Sequence, residues 1–296
     1  MAAKKPPRAD RHEAFMRRAL ILARKGLSRT SPNPAVGAVI VKRGQVIGEG
    51  WHRGAGLPHA EIEALNNASS KVAGATLYVT LEPCSHFGRT PPCADAVIKS
   101  GIRKVFAGMP DPNPLVSGEG IKRLEAAGIE VVTGILEAGC RAINEAYIKY
   151  ITTGTPLVTI KLASTLDGRI AAPSGESKWI TGPEARRLVH RMRAASDAVM
   201  VGGATVIKDD PSLTVRHARG QDPVRVVLDS SFKAPLSSSV FKGAGGPATV
   251  LFATSAAPPS KVAKARQSGV DVVLIPKGPG GVSLERVLKE LGRRGV

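Results

Sequence analysis

Cysteine is scarce: the 296 residues hold three. So small and odd a number excludes a disulfide-stapled scaffold. Free thiols that must act as thiolates call for a reducing compartment, so the cytoplasm is expected. Aromatic residues make up only 4 % of the chain, which leaves Ala, Val, Ile and Leu to build the cores. No run of 18 apolar residues occurs, which excludes a spanning helix, so no membrane is expected. The first ten residues are basic and no long apolar segment follows them, so they read as a disordered tail rather than a signal peptide. Acidic residues are outnumbered, 24 against 42 basic, for a net charge of +18. Both halves share that excess, whereas nucleic-acid binders concentrate charge in a stripe or tail. Nucleic acid is therefore not the expected partner, and phosphorylated small molecules suit the same positive field.

What is present begins with length and apolar content. A hydrophobic fraction of 43 % supports buried cores, and the length suits two domains. The chemistry-bearing stretch is His59-Ala60-Glu61, followed by Glu82-Pro83-Cys84 and Cys93. One imidazole and two thiols fill three corners of a tetrahedral zinc site and leave the fourth for water, the catalytic arrangement. Glu61, two residues after the His, can reach that water without being a ligand. A zinc-activated water with a non-ligand Glu to carry protons is the plan of the zinc deaminases. Cys140 stands outside this group and reads as a small buried hydrophobe. Glu63 reads as a solvated helix residue and Glu82 as a structural one.

Eight residues separate the two cysteines, in CSHFGRTPPC, where many nucleoside and nucleic-acid deaminases have two. That insertion resembles the deaminase half of the bifunctional riboflavin-biosynthesis family, the diaminohydroxyphosphoribosylaminopyrimidine deaminases / 5-amino-6-(5-phosphoribosylamino)uracil reductases. Pro32-Asn33-Pro34-Ala35-Val36-Gly37 and Asp111-Pro112-Asn113-Pro114 extend the likeness, which covers nearly the whole chain from about residue 10. Asn33 alone reads as a turn residue; the resemblance implies instead that its amide bonds the pyrimidine edge. It also implies substrate contacts for His86 and Arg89 in the loop after Cys84.

Local patterns give an α/β reading. Asp10 suits the N-cap of a helix from about Arg11 to Lys25, closed by Gly26. Residues 36–41 and 46–50 read as two strands about an Arg43-Gly44 turn. A helix from Pro58 to about Ala68, a strand over 76–81 and a helix from Cys93 follow. Further strands are expected at 105–107 and 130–132, a helix at 120–127, and one continuous helix near 136–150. Such alternation gives a sheet covered by helices.

Thr153-Gly154-Thr155-Pro156 marks a boundary by composition. After it, 157–162 reads as a strand of alternating type, 184–193 as an arginine-rich helix and 224–228 as another strand. Gly202-Gly203 does not fit G-x-G-x-x-G, so no Rossmann reading follows. The segments KLASTLDGR, SGESKWITG and DDPSLTVR are similar to the family's reductase domain, which implies a dihydrofolate-reductase-like fold using NADPH. Carried over by position, Ala163, Trp179, Thr205, Asp209 and Ser230 line the cofactor site, and Ser177, Arg193, Leu213 and Arg216 hold the phosphoribosyl substrate.

The expected class is thus α/β: a cytidine-deaminase-like three-layer sandwich (residues 10–152) followed by a dihydrofolate-reductase-like domain (residues 153–296). The family pattern would continue past Val296 into a glycine-rich turn and further strands, so the second domain is expected to be truncated. The implied cofactors are Zn2+ and NADPH, and the implied partner is a phosphoribosyl pyrimidine; a homo-oligomer stays open. Three alternatives also stay open on sequence: a deaminase whose second half is not catalytic, a nucleic-acid deaminase, and a zinc-stabilised binding protein.

Overall fold

The computed structural model describes residues 8–87, 91–114, 116–177, 179–242 and 248–296, the side chains of 8–10 excepted. The chain divides into two compact units, the boundary falling between Leu157 and Val158.

The first unit runs α1 (Arg8–Ala23), β1 (Gly37–Lys42), β2 (Gln45–Trp51), α2 (Ala60–Asn66), β3 (Thr76–Val79), α3 (Cys93–Lys99), β4 (Lys104–Ala107), α4 (Glu119–Ala126), β5 (Glu130–Thr133), α5 (Glu137–Ile143) and α6 (Glu145–Thr153). Its sheet has the order β2-β1-β3-β4-β5. The β1–β2 and β1–β3 pairs are antiparallel, and the β3–β4 and β4–β5 pairs parallel. Alternation along β1 sorts the two faces. Gly37 meets α1, and its cross-strand neighbours share that face. Ala38 pairs with Gly50, which lies against α2. The helices therefore form two outer layers around the sheet. Gly37 is required by close approach: a Cβ there would stand 2.0 Å from the Ala19 carbonyl oxygen. The core is aliphatic, with Val39, Ile40, Leu77, Val79, Val97, Val105 and Leu124 fully buried. Each contributes about 1.5–3 kcal/mol by leaving water.

Several expected boundaries move. The first helix starts before Asp10, and a short 3-10 turn carries it to Gly26. The helix expected near 136–150 is two helices, broken at Asn144.

The second unit holds α7 (Pro183–Ala194), β6 (Ala198–Gly202), α8 (Gly203–Asp209), β7 (Val224–Leu228), β8 (Thr249–Ala253), α9 (Pro259–Gln267), β9 (Asp271–Leu274), β10 (Lys277–Gly278), β11 (Gly281–Val282) and α10 (Leu284–Arg293). Four parallel strands pair in the order β6-β7-β8-β9. Alternate residues feed two cores. Val227, Leu251 and Ala253 pack with Val262 and Ala265 of α9, while Val226, Val250 and Phe252 pack with Val287 and Leu291 of α10. The strand expected over 157–162 does not form. Val158, Ile160 and Leu162 are 58, 79 and 77 % exposed. No described strand pairs with this segment, and a period of two buries a face only where a neighbouring strand completes the sheet.

Candidate active site

The first unit gathers its chemistry around one pocket of about 390 Å³, lined among others by Asn33, His52, His59, Glu61, Cys84, His86, Asp111, Asn113, Tyr147 and Tyr150. His59 sits at the N-cap position of α2, so Glu61 falls in that helix's first turn. β3 leads through Leu81 to Cys84, and Cys93 opens α3. Nδ1 of His59 lies 3.5 Å from Cys84 Sγ and 3.2 Å from Cys93 Sγ. The three donor atoms all fall within 4.8 Å of one another. Ligands at about 2.0–2.3 Å around one tetrahedral zinc stand about 3.3–3.8 Å apart, so the donor set fits that ion.

The electrostatics agree with the geometry. The Cys93 hydrogen bond, the His59 ring and the Cys93 backbone N–H at 3.3 Å together hold the Cys84 thiol well below its ordinary range. Cys93 is pushed up by its contact with Cys84 and by burial. One thiolate forms readily and holds back the second, an arrangement that a cation between them relieves. Glu61 is 3 % exposed. Burial first, then the charge of Cys84, pushes its carboxyl up to about 7.

The opposite wall is polar. His52 is buried, with Nδ1 3.2 Å from the Pro58 carbonyl and Nε2 3.2 Å from Asn33 Nδ2. The Nδ1–H donates to the carbonyl, so Nε2 accepts from the Asn33 amide. That leaves the Asn33 Oδ1 and its second N–H for a ligand.

In the second unit, Arg193 and Arg216 come together. Arg193 Nη1 donates to the Thr214 carbonyl (2.6 Å), and the Arg216 backbone N–H donates to His190 Nδ1 (3.1 Å). Burial and the charge of Arg216 push Arg193 down, so the cluster favours an anion. Thr205 and Asp209 lie on α8, which begins at the carboxyl end of β6, and Ser230 follows β7. Carboxyl ends of parallel strands are where open α/β sheets bind ligands.

Residues 9–109 match the cytidine and deoxycytidylate deaminase zinc-binding region, and residues 156–296 match the RibD C-terminal domain. A riboflavin biosynthesis protein RibD of Aquifex aeolicus is 48 % identical over 278 residues, covering 94 % of this chain and 76 % of the relative. That of Escherichia coli is 43 % identical, with 96 % and 79 % covered. The chain belongs to the RibD family. A crystal structure of a deaminase/reductase of this family from Thermotoga maritima superposes with a TM-score of 0.87 at 43 % identity, covering 98 % of this chain and 80 % of that one. RibD membership makes the chain a riboflavin-biosynthesis enzyme with a zinc-dependent deaminase part and an NADPH-dependent reductase part.

Against the sequence-derived residues of a RibD enzyme, the structure brings His59, Glu61, Cys84, His86 and Asn33 to one pocket. Arg89 lies outside the described residues. Leu213 is 5 % exposed, its side chain within the core of the second unit. Ala163, Ser177 and Trp179 lie on irregular chain before α7, and no hydrogen bond among the described residues ties them to Thr205, Asp209 or Ser230. The Trp179 indole is 72 % exposed, with the Arg186 guanidinium 4.2 Å from its centroid. Sequence reasoning missed Tyr147 and Tyr150 as pocket residues. A signal existed: two of the chain's three tyrosines stand three apart on one helix face.

Proposed function

We propose that the first unit deaminates 2,5-diamino-6-(5-phosphoribosylamino)pyrimidin-4(3H)-one and that the second reduces the ribosyl group of its product to ribityl. The observation that carries the first step is the buried Glu61 carboxyl beside the His59, Cys84 and Cys93 donors. His59, Cys84 and Cys93 would hold the zinc, which would supply Lewis acidity to activate water at neutral pH. Glu61, not itself a ligand, takes a proton from the water that attacks the amino-bearing C2. It gives that proton to the ring nitrogen, then takes the proton of the new C2 hydroxyl as C2=O forms and passes it to the amino group, which leaves as ammonia. Asn33, oriented by His52, holds the pyrimidine edge, and His86 serves the phosphoribosyl side, a role that the family resemblance also gives to Arg89.

For the second step, NADPH supplies a hydride to C1 of the ribosyl group. Ala163, Trp179, Thr205, Asp209 and Ser230 bind the cofactor, and Ser177, Arg193, Leu213 and Arg216 hold the substrate, the guanidinium groups gripping phosphate. The same reading places the enzyme in the reducing cytoplasm, where Cys84 and Cys93 stay reduced. It assigns the positive charge to small phosphorylated ligands rather than nucleic acid.

A mass-resolved product assay on the zinc-loaded chain tests both steps. The product should exchange an amino for an oxo group, and with NADPH also gain two hydrogens. Glu61→Gln should keep its zinc and lose about 10²–10⁴-fold in deamination, while still reducing substrate that is already deaminated. Deamination by that variant within a few fold of wild type would remove Glu61 from the mechanism. Deamination without reduction would leave only the first step to this chain.

A further inference from the structure

Glu82 stands two residues before Cys84, is 3 % exposed, and has no part in the chemistry above. Its carboxylate accepts four backbone N–H groups. Oε2 takes those of Asp111 and Gly118, each at 3.0 Å, and Oε1 those of Gly120 (2.9 Å) and Ile121 (3.2 Å). The last two belong to the first turn of α4, whose N–H groups have no partner within the helix. One side chain therefore ties Asp111 and Gly118 to the first turn of α4. The docking is tight, since a Cβ on Gly120 would stand 1.9 Å from the Pro83 carbonyl oxygen.

This tie reaches the pocket. Asp111, whose own N–H is held by Glu82, and Asn113 both line it. Asp111 Oδ1 accepts the Asn113 N–H (2.9 Å) and the Tyr147 hydroxyl (2.9 Å). Tyr147 and Tyr150 then carry the wall onto α6. Glu82 thus joins, through four backbone hydrogen bonds, the segment that delivers Cys84 to the pocket wall of Asp111 and Asn113.

We propose that Glu82 is a positioning residue of the deamination step. It fixes the wall of Asp111, Asn113 and Tyr147 relative to Cys84, and so sets where the pyrimidine lies against Glu61. The proposal rests on the pocket being the deaminase site. Capping α4 alone would need one or two acceptors; here the same carboxylate also holds the residue whose side chain organises the pocket wall.

The test uses the full zinc-loaded chain. In Glu82→Gln the amide N–H₂ replaces an acceptor that two backbone N–H groups need. Its KM for the diaminopyrimidine should rise about tenfold or more, the equivalent of one lost hydrogen bond to a charged group. Its kcat should change much less, with zinc content as in wild type. Glu82→Asp, which keeps the charge on a shorter stem, should recover part of the KM. Tyr147→Phe should raise KM in the same sense, and its effect should be less than additive with Glu82→Gln, since both act through Asp111. A folded Glu82→Gln with unchanged KM would overturn the proposal, as would loss of kcat or zinc at constant KM. If Glu82→Gln does not fold, Tyr147→Phe decides, and an unchanged KM there overturns the proposal. A wild-type chain that fails to deaminate at all would instead overturn the reading of the pocket on which the proposal rests.

Discussion

The His190 ring, on α7, is 6 % exposed and accepts the Arg216 backbone N–H on Nδ1, so its proton sits on Nε2 when neutral. Its pKa is lowered by burial first, then by Arg193, His217 and Arg216. Unfolded, the imidazole titrates near its ordinary value of about 6.5. Below that pH the unfolded chain binds the proton more readily than the folded one, so stability is lost as pH falls towards the lower folded pKa. Denaturation midpoints of the second unit should therefore drop as pH falls below about 6.5, and His190→Gln should flatten that slope. Parallel slopes in the two proteins would show that His190 is not the group responsible. At this scale the zinc cluster was legible, because His59 and Glu61 stand two apart in sequence, Cys84 follows the Glu-Pro pair and Cys93 opens a helix. Glu82 was not: its four partners lie about thirty to forty residues on, and nothing in Glu-Pro-Cys announces them.

Asn144 shows why element boundaries escaped the sequence. The apolar pattern runs across it, yet the helix breaks there into α5 and α6. The buried Asn144 side chain accepts the Ala35 N–H on Oδ1 (2.8 Å) and donates through Nδ2 to the Ala35 carbonyl (3.1 Å). It stands in for a backbone partner to the chain that enters β1, two residues beyond Asn33. Asn144→Ala would leave both buried groups of Ala35 unpaired, at a cost of about 1–3 kcal/mol for each group left without water. Chemical denaturation of the zinc-loaded protein should show the loss, with KM for the diaminopyrimidine rising as α6 and Asn33 loosen together. A loss within experimental error would mean that water or a shifted backbone replaces the amide. Strand composition served well for β1 and β7, whose partners are present. Alternation failed for 157–162, which no described strand completes.

For the whole molecule, the two chemistries are separable by where their residues lie. His59, Glu61, Cys84 and Cys93 all belong to the first unit, and the residues assigned to NADPH and to the substrate of the reduction all belong to the second. Zinc that binds only the folded first unit stabilises that unit by mass action, and its removal leaves Cys84 and Cys93 to compete for one proton deficit. A strong chelator should therefore stop deamination and lower the unfolding midpoint of the first unit. NADPH oxidation with substrate that is already deaminated should continue at close to its original rate. Returning zinc should restore deamination without changing reduction. Parallel loss of both activities on chelation would show that the reductase step depends on the metal centre, and the division of labour between the units would have to be abandoned.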